Sequence, residues 1–206
     1  MSKRKDTNGV PPALIREHHG IAVKIAKGEF IFRQGEKGRT FFVVKKGRVK
    51  MVSVNEDGKE FVQGYFDEGS SFGEPPFFTG EAYPASAVAV VDSEIWKIGR
   101  EDFLLLLKKN FDVHLSITES LSKRLEYKSM MLSELAVEEA EHRIRTLLQY
   151  FREQEGIAHR GFEVPFSRQQ IADMSGLRVE TVIRAIKGME HKGLLEIDEE
   201  GKITLR

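Results

Sequence analysis

Between Ile21 and Ile98 glycine recurs at positions 28, 35, 38, 47, 58, 64, 69, 73 and 80, cutting the chain into short runs. The runs are apolar or alternating: Phe30-Ile31-Phe32, Phe41-Phe42-Val43-Val44, Val49 to Val54, Phe61-Val62 and Ala87 to Val91. Short runs of this kind between glycines read as strands. Asn55-Glu56-Asp57-Gly58 is hairpin chemistry between two of them. Many short strands at near-even spacing predict a closed antiparallel barrel or jelly roll, with Ile95-Trp96-Lys97-Ile98 as its last strand.

The punctuation then stops. Asp102 to Lys109 reads as a short helix, and Phe111 to Ala136 runs without Gly or Pro. A heptad seam through Leu107, Phe111, His114, Thr118, Leu121, Leu125, Lys128, Leu132 and Leu135 fits a two-fold dimer interface, the alternative being a helix packed on its own barrel. Val137 to Ala140 reads as a hinge, Glu141 to Phe151 as another amphipathic helix, and Arg160-Gly161 as a turn toward the C-terminal helices.

Ser167-Arg168-Gln169-Gln170 opens a helix with a capping box, Ser167 and Gln170 being three apart. Ala172 suits a helix contact and Gly176 a turn. In the next helix Leu177, Val182, Ala185, Ile186 and Met189 fall on one apolar face, and Glu180, Ile183, Arg184 and Lys187 on the other. Glu180 and Arg184 alone would suit an ordinary surface pair. Gly193 ends the helix, and Leu194 to Ile197, Asp198 to Gly201 and Lys202 to Leu205 read as strand, turn and strand. Helix, turn, helix and hairpin make a winged helix, whose second helix enters a DNA major groove.

Composition closes several routes. The chain of 206 residues is long enough for two domains and contains no cysteine, so thiolate metal sites, cysteine-held clusters and disulfides are excluded. A cupin-like barrel enzyme needs histidines inside the barrel, and none occurs between His19 and His114. His18-His19 lacks further ligands, and a lone His114 is poor evidence for haem. No apolar run spans a membrane, and the first residues hold no apolar signal region, so a cytoplasmic protein is expected. With 32 basic and 32 acidic residues, any attraction to DNA is local.

With Lys27-Gly28-Glu29, Phe72-Gly73-Glu74, Ser86-Ala87 and Val179-Glu180-Thr181-Val182-Ile183-Arg184 in hand, the chain resembles the Crp/Fnr family of bacterial transcription regulators. The resemblance implies an α+β, two-domain fold: a 1–20 arm, a cyclic-nucleotide-binding-like antiparallel β-roll over 21–110, a dimerisation helix over 111–137 with seam residues Phe111, Leu121, Leu125, Leu132 and Leu135, and a winged helix-turn-helix over 138–206. It also implies a homodimer on double-stranded DNA, with RNA polymerase as a further partner of an activator, and no catalysis.

The family pattern on the recognition helix is Arg-Glu-Thr-Val-x-Arg. Carried over, Arg184 hydrogen-bonds a guanine, Glu180 accepts from a cytosine amino group, and Ile183 meets a thymine methyl, implying a TGA-like half-site in an inverted pair. Ser167, Arg168, Gln169, Arg178, Thr181 and Lys187 hold phosphates. Val179 replaces the usual Arg, so one polar contact is absent or supplied by Arg178. In the sensor, Ala85 stands where cyclic-nucleotide binders place the phosphate-holding arginine, so cyclic AMP is not the expected effector and no cofactor or metal is assigned. Gly73, Glu74, Tyr83, Ser86, Lys128 and Ser129 are the candidate pocket for a different, acidic effector; alternatively Lys128 pairs with Glu126 or Glu134 at the surface. A constitutive DNA binder with a vestigial sensor is the first alternative reading, and a cupin-like β-barrel enzyme with an accessory C-terminal domain the second.

Overall fold

The run Phe41 to Val44 becomes the middle of a strand, β3 (Thr40–Lys46), that is buried on both faces. A computed structural model describes residues 10–54, 60–137, 139–154 and 161–206; the arm over 1–9, the Asn55–Gly58 turn, hinge residue Glu138, Arg160 and the Leu135 side chain lie outside the described residues. The chain divides into two compact units, 1–122 and 123–206.

In the first unit the remaining strands are β1 (Ile21–Ile25), β2 (Phe30–Phe32), β4 (Arg48–Val54), β5 (Glu60–Asp67), β6 (Ser71–Phe72), β7 (Ser86–Ala89) and β8 (Ser93–Gly99). They form two four-stranded sheets, β1-β8-β3-β6 and β2-β7-β4-β5, with antiparallel pairing throughout. Side chains alternate across a strand. Phe42 and Val44 therefore enter the space between the sheets with Phe32, Val49, Phe72, Tyr83 and Ile95. Phe41 and Val43, paired with Ile98 and Trp96 on β8, face the other way.

Helices cover that outer face. They are α1 (Pro12–Glu17), α2 (Glu74–Thr79), α3 (Arg100–Lys109) and the start of α4 (Phe111–Val137), and they supply Ile15, Phe77, Phe103, Leu106 and Ile117. The Phe41 and Phe103 rings stack at 3.8 Å. Two of these helices were not foreseen. Residues 10–20 belong to the core rather than to a loose arm, because Pro12 starts a helix that buries Ile15 completely. The α2 helix begins beside Gly73, whose φ of +80° is left-handed and whose added Cβ would lie 3.3 Å from both Phe32 and Tyr83.

In the second unit α5 (Ala140–Gln154) packs with α6 (Arg168–Ser175) and α7 (Val179–His191). The terminal hairpin, β10 (Leu195–Ile197) and β11 (Ile203–Leu205), is joined by an unforeseen third strand, β9 (Phe162–Glu163), paired with β11. The capping box forms: Ser167 Oγ accepts from Gln170 N–H at 3.2 Å, and Gln170 Oε1 accepts from Ser167 N–H at 2.9 Å. Gly176, at φ +68°, ends α6 in the left-handed conformation.

Two substitutions test this packing. Phe41→Ala should destabilise the first unit by about 3–5 kcal/mol, read by urea unfolding through the fluorescence of Trp96. Ser167→Ala should cost about 1 kcal/mol, read as lost helicity at lower denaturant.

Candidate functional site

The strongest candidate surface is the outer face of α7. Val182, Ile186 and Met189 are buried, as the spacing required, while Ala185 and Leu177 are half-buried. Their burial turns Glu180, Ile183, Arg184 and Lys187 outward, and Arg178 at the N-cap is exposed as well. Ile183 is 40 % exposed. Among the described residues no ion pair joins Glu180 to Arg184, so the ordinary surface pair does not form. An exposed guanidinium and an exposed carboxylate one turn apart are groups with the donors and acceptors that match base edges.

Around α7 the other expected contacts are more engaged. Gln169 Nε2 donates to Asp173 Oδ1 at 2.8 Å, and Arg168 Nη1 donates to the Gly201 carbonyl at 2.5 Å. Thr181 is half-buried, its N–H donating to Arg178 O at 3.0 Å. Ser167 is exposed and its hydroxyl hydrogen is free of the capping bond, in which the oxygen only accepts. Sequence reasoning missed two ties that fix the reading unit: Glu190 Oε1 accepts from Ile197 N–H at 3.2 Å, and Lys192 Nζ meets both Glu141 oxygens at 2.9 Å. Neither pair has a spacing signal, since each joins separate elements.

The expected sensor residues of the first unit are occupied by the protein itself. Glu74, Tyr83, Ala85 and Ser86 are all buried. The Tyr83 ring stacks on Phe32 at 3.7 Å and its hydroxyl donates to Thr40 O at 3.3 Å. Burial pushes the Tyr83 hydroxyl up to about 12, against a smaller lowering by that bond, with the Glu36 charge adding to the rise. Ser86 Oγ accepts from Gln34 N–H at 3.0 Å. An open hollow lies along β2, lined by Gly28, Glu29, Phe30, Arg33 and Glu36, with the Arg33 guanidinium 3.8 Å from the Phe30 ring; it takes in none of the expected pocket residues.

In the second unit Lys128 and Ser129 are exposed on α4. Desolvation by partial burial, and then the Arg124 charge, lower the Lys128 ammonium below its usual range. The expected pairing of Lys128 with Glu126 or Glu134 is not found among the described residues; Glu134 instead lies 3.6 Å from His142 Nε2. Tyr127 packs on Tyr150 and Phe151, and Phe151 on Phe166 just before Ser167. Burial raises the Tyr127 hydroxyl to about 12, the Tyr150 charge adding to the rise.

The expected seam residues of α4 differ in exposure. Phe111, Leu125 and Leu132 are 72 %, 69 % and 69 % exposed. Leu121 is half-buried and packs against the core cluster that holds Ile117, and Leu107 belongs to that core. Leu115 is 54 % exposed, and Thr118, Ser122 and Ser129 are exposed as well. Two heptad frames start from Phe111, one through Leu121 and one through Leu115.

Comparison with known proteins agrees with this layout. Residues 22–110 match the model of the cyclic nucleotide-binding domain, and residues 142–206 that of the Crp-like helix-turn-helix domain. The cAMP-activated global transcriptional regulator CRP of Pasteurella multocida is 33 % identical over 168 residues, 80 % of each chain. The solved structure of the c-di-GMP responsive global regulator CLP of Xanthomonas campestris is 26 % identical, with TM-score 0.70 over 94 % of this chain and 98 % of that one. FixK2 from Bradyrhizobium japonicum, at 22 % identity, shares the fold with TM-score 0.72 over 91 % and 92 %. CRP and CLP are regulators rather than enzymes, and among the described residues no helix is long and apolar enough to cross a membrane. A cyclic-nucleotide-binding roll followed by a Crp-like helix-turn-helix places the chain in the Crp/Fnr family of DNA-binding transcription regulators.

Proposed function

We propose that the protein is a cytoplasmic homodimer that binds a palindromic operator, its DNA binding controlled by a small molecule other than cyclic AMP. The unpaired face of α7 supports this most directly. Arg184 donates to a guanine edge, Glu180 accepts from a cytosine amino group and Ile183 covers a thymine methyl, giving a TGA-like half-site. Ser167, Gln169, Arg178, Thr181 and Lys187 meet the flanking phosphates. The α4 stripe Phe111, Leu115, Leu125 and Leu132 joins two copies and sets the half-sites about one helical turn apart. If the regulator activates, RNA polymerase is its third partner.

The buried Ala85 argues against cyclic AMP, since a cyclic phosphate placed there has no cation to replace its water. A second reading, a constitutive DNA binder with a silent sensor, draws support from the roll interior, where the Phe32–Tyr83 stack already stands.

Arg184→Ala should weaken operator binding by about 1–3 kcal/mol and relax preference at one base pair, measured by competition with single-base operator variants; unchanged binding refutes the assignment. Leu125→Lys should shift the protein to monomer in sedimentation equilibrium and abolish tight operator binding together. Cyclic AMP should leave the melting temperature unchanged, whereas a ligand at about a hundred times its Kd adds about 2.7 kcal/mol of stability; a screen without any such ligand favours the silent sensor.

A further inference from the structure

Arg168 sits at the first position of α6, where the unpaired N–H groups of the helix start disfavour a cation. Its guanidinium is half-buried and donates from Nη1 to the carbonyl of Gly201, 33 residues away, at 2.5 Å. Gly201 lies in the turn between β10 and β11. That turn is closed on itself: Gly201 N–H donates to Asp198 O at 2.9 Å, Asp198 N–H to Lys202 O at 3.1 Å, and Lys202 N–H to Asp198 Oδ1 at 2.8 Å. The Gly201 carbonyl, aimed by a φ of +81°, takes its donor from α6. At the base of the hairpin the Glu190 carboxylate of α7 holds Ile197 N–H. One side chain from each helix of the reading unit therefore fastens the hairpin.

The turn is acidic. Asp198, Glu199 and Glu200 are all exposed, and Lys202, the nearest cation in sequence, is paired with Glu200 at 3.2 Å. Three carboxylates beside a phosphate backbone repel it unless the turn is kept in one place.

We propose that Arg168 is a positioning residue for DNA binding: its guanidinium holds the acidic turn against the start of α6 instead of meeting a phosphate. The proposal rests on the reading of α7 as the DNA-recognition helix. Arg168→Met should weaken operator binding about tenfold, the loss of one charge-assisted hydrogen bond.

Two measurements on the full-length protein decide the matter. Without DNA, amide exchange at Gly201 and Lys202 should be clearly faster in Arg168→Met than in the wild type, with exchange in α7 unchanged. With DNA, the slope of log affinity against log salt should stay at its wild-type value, because no phosphate contact is lost. Wild-type exchange at the turn overturns the proposal. So does a slope that falls by about 0.9 per half-site, the mark of one phosphate contact. Arg168→Lys, which keeps the charge and a shorter donor, should fall between the two in exchange and in affinity, and serves if the methionine variant does not fold. Arg184→Ala, run alongside, separates failure of this proposal from failure of the DNA reading, since the exchange result does not depend on DNA.

Discussion

The first unit depends on burying both faces of β3. Phe42 and Val44 close the space between the sheets while Phe41 and Val43 seat the covering helices, so one strand's thickness separates the roll interior from α3 and α4. Interiors packed at crystal-like density transmit displacement rather than absorb it. Phe42 on one face and Phe41 on the other are neighbours on one strand, so the packing around Phe32 and Tyr83 and the packing around Phe103 share that strand's backbone.

Much of this was legible in the chain. Glycine spacing located the strands, Phe41 to Val44 among them. The Ser167–Gln170 spacing and the stripe of α7 located the reading unit, and outward Glu180, Ile183 and Arg184 followed from the burial of Val182, Ile186 and Met189. What stayed hidden was whatever long-range partners decide. Ile15 is an apolar residue in a polar segment, and only the cluster it joins, with Leu14 packed against that cluster, makes it core. β9 is two residues long, too short for a period to show. The heptad frame was ambiguous because Leu115 and Leu121 both fit a seam.

Chemistry in the sensor is set by what surrounds Ala85. The roll interior is aromatic and aliphatic, Ser86 is engaged with Gln34, and no side chain at position 85 brings a positive charge inward. Low-dielectric surroundings magnify both an unmet charge and a met one. The family fold is thus retained with an apolar residue buried at position 85, while α7 carries an exposed carboxylate and an exposed guanidinium one turn apart.

The three exposed carboxylates between β10 and β11 bear on how a balanced-charge protein locates one sequence among millions. On the proposal that α7 reads the operator, acid on the hairpin beside α6 adds repulsion to every landing on duplex, which contacts at base edges offset only at the right sequence. Discrimination then draws on rejection as well as on attraction.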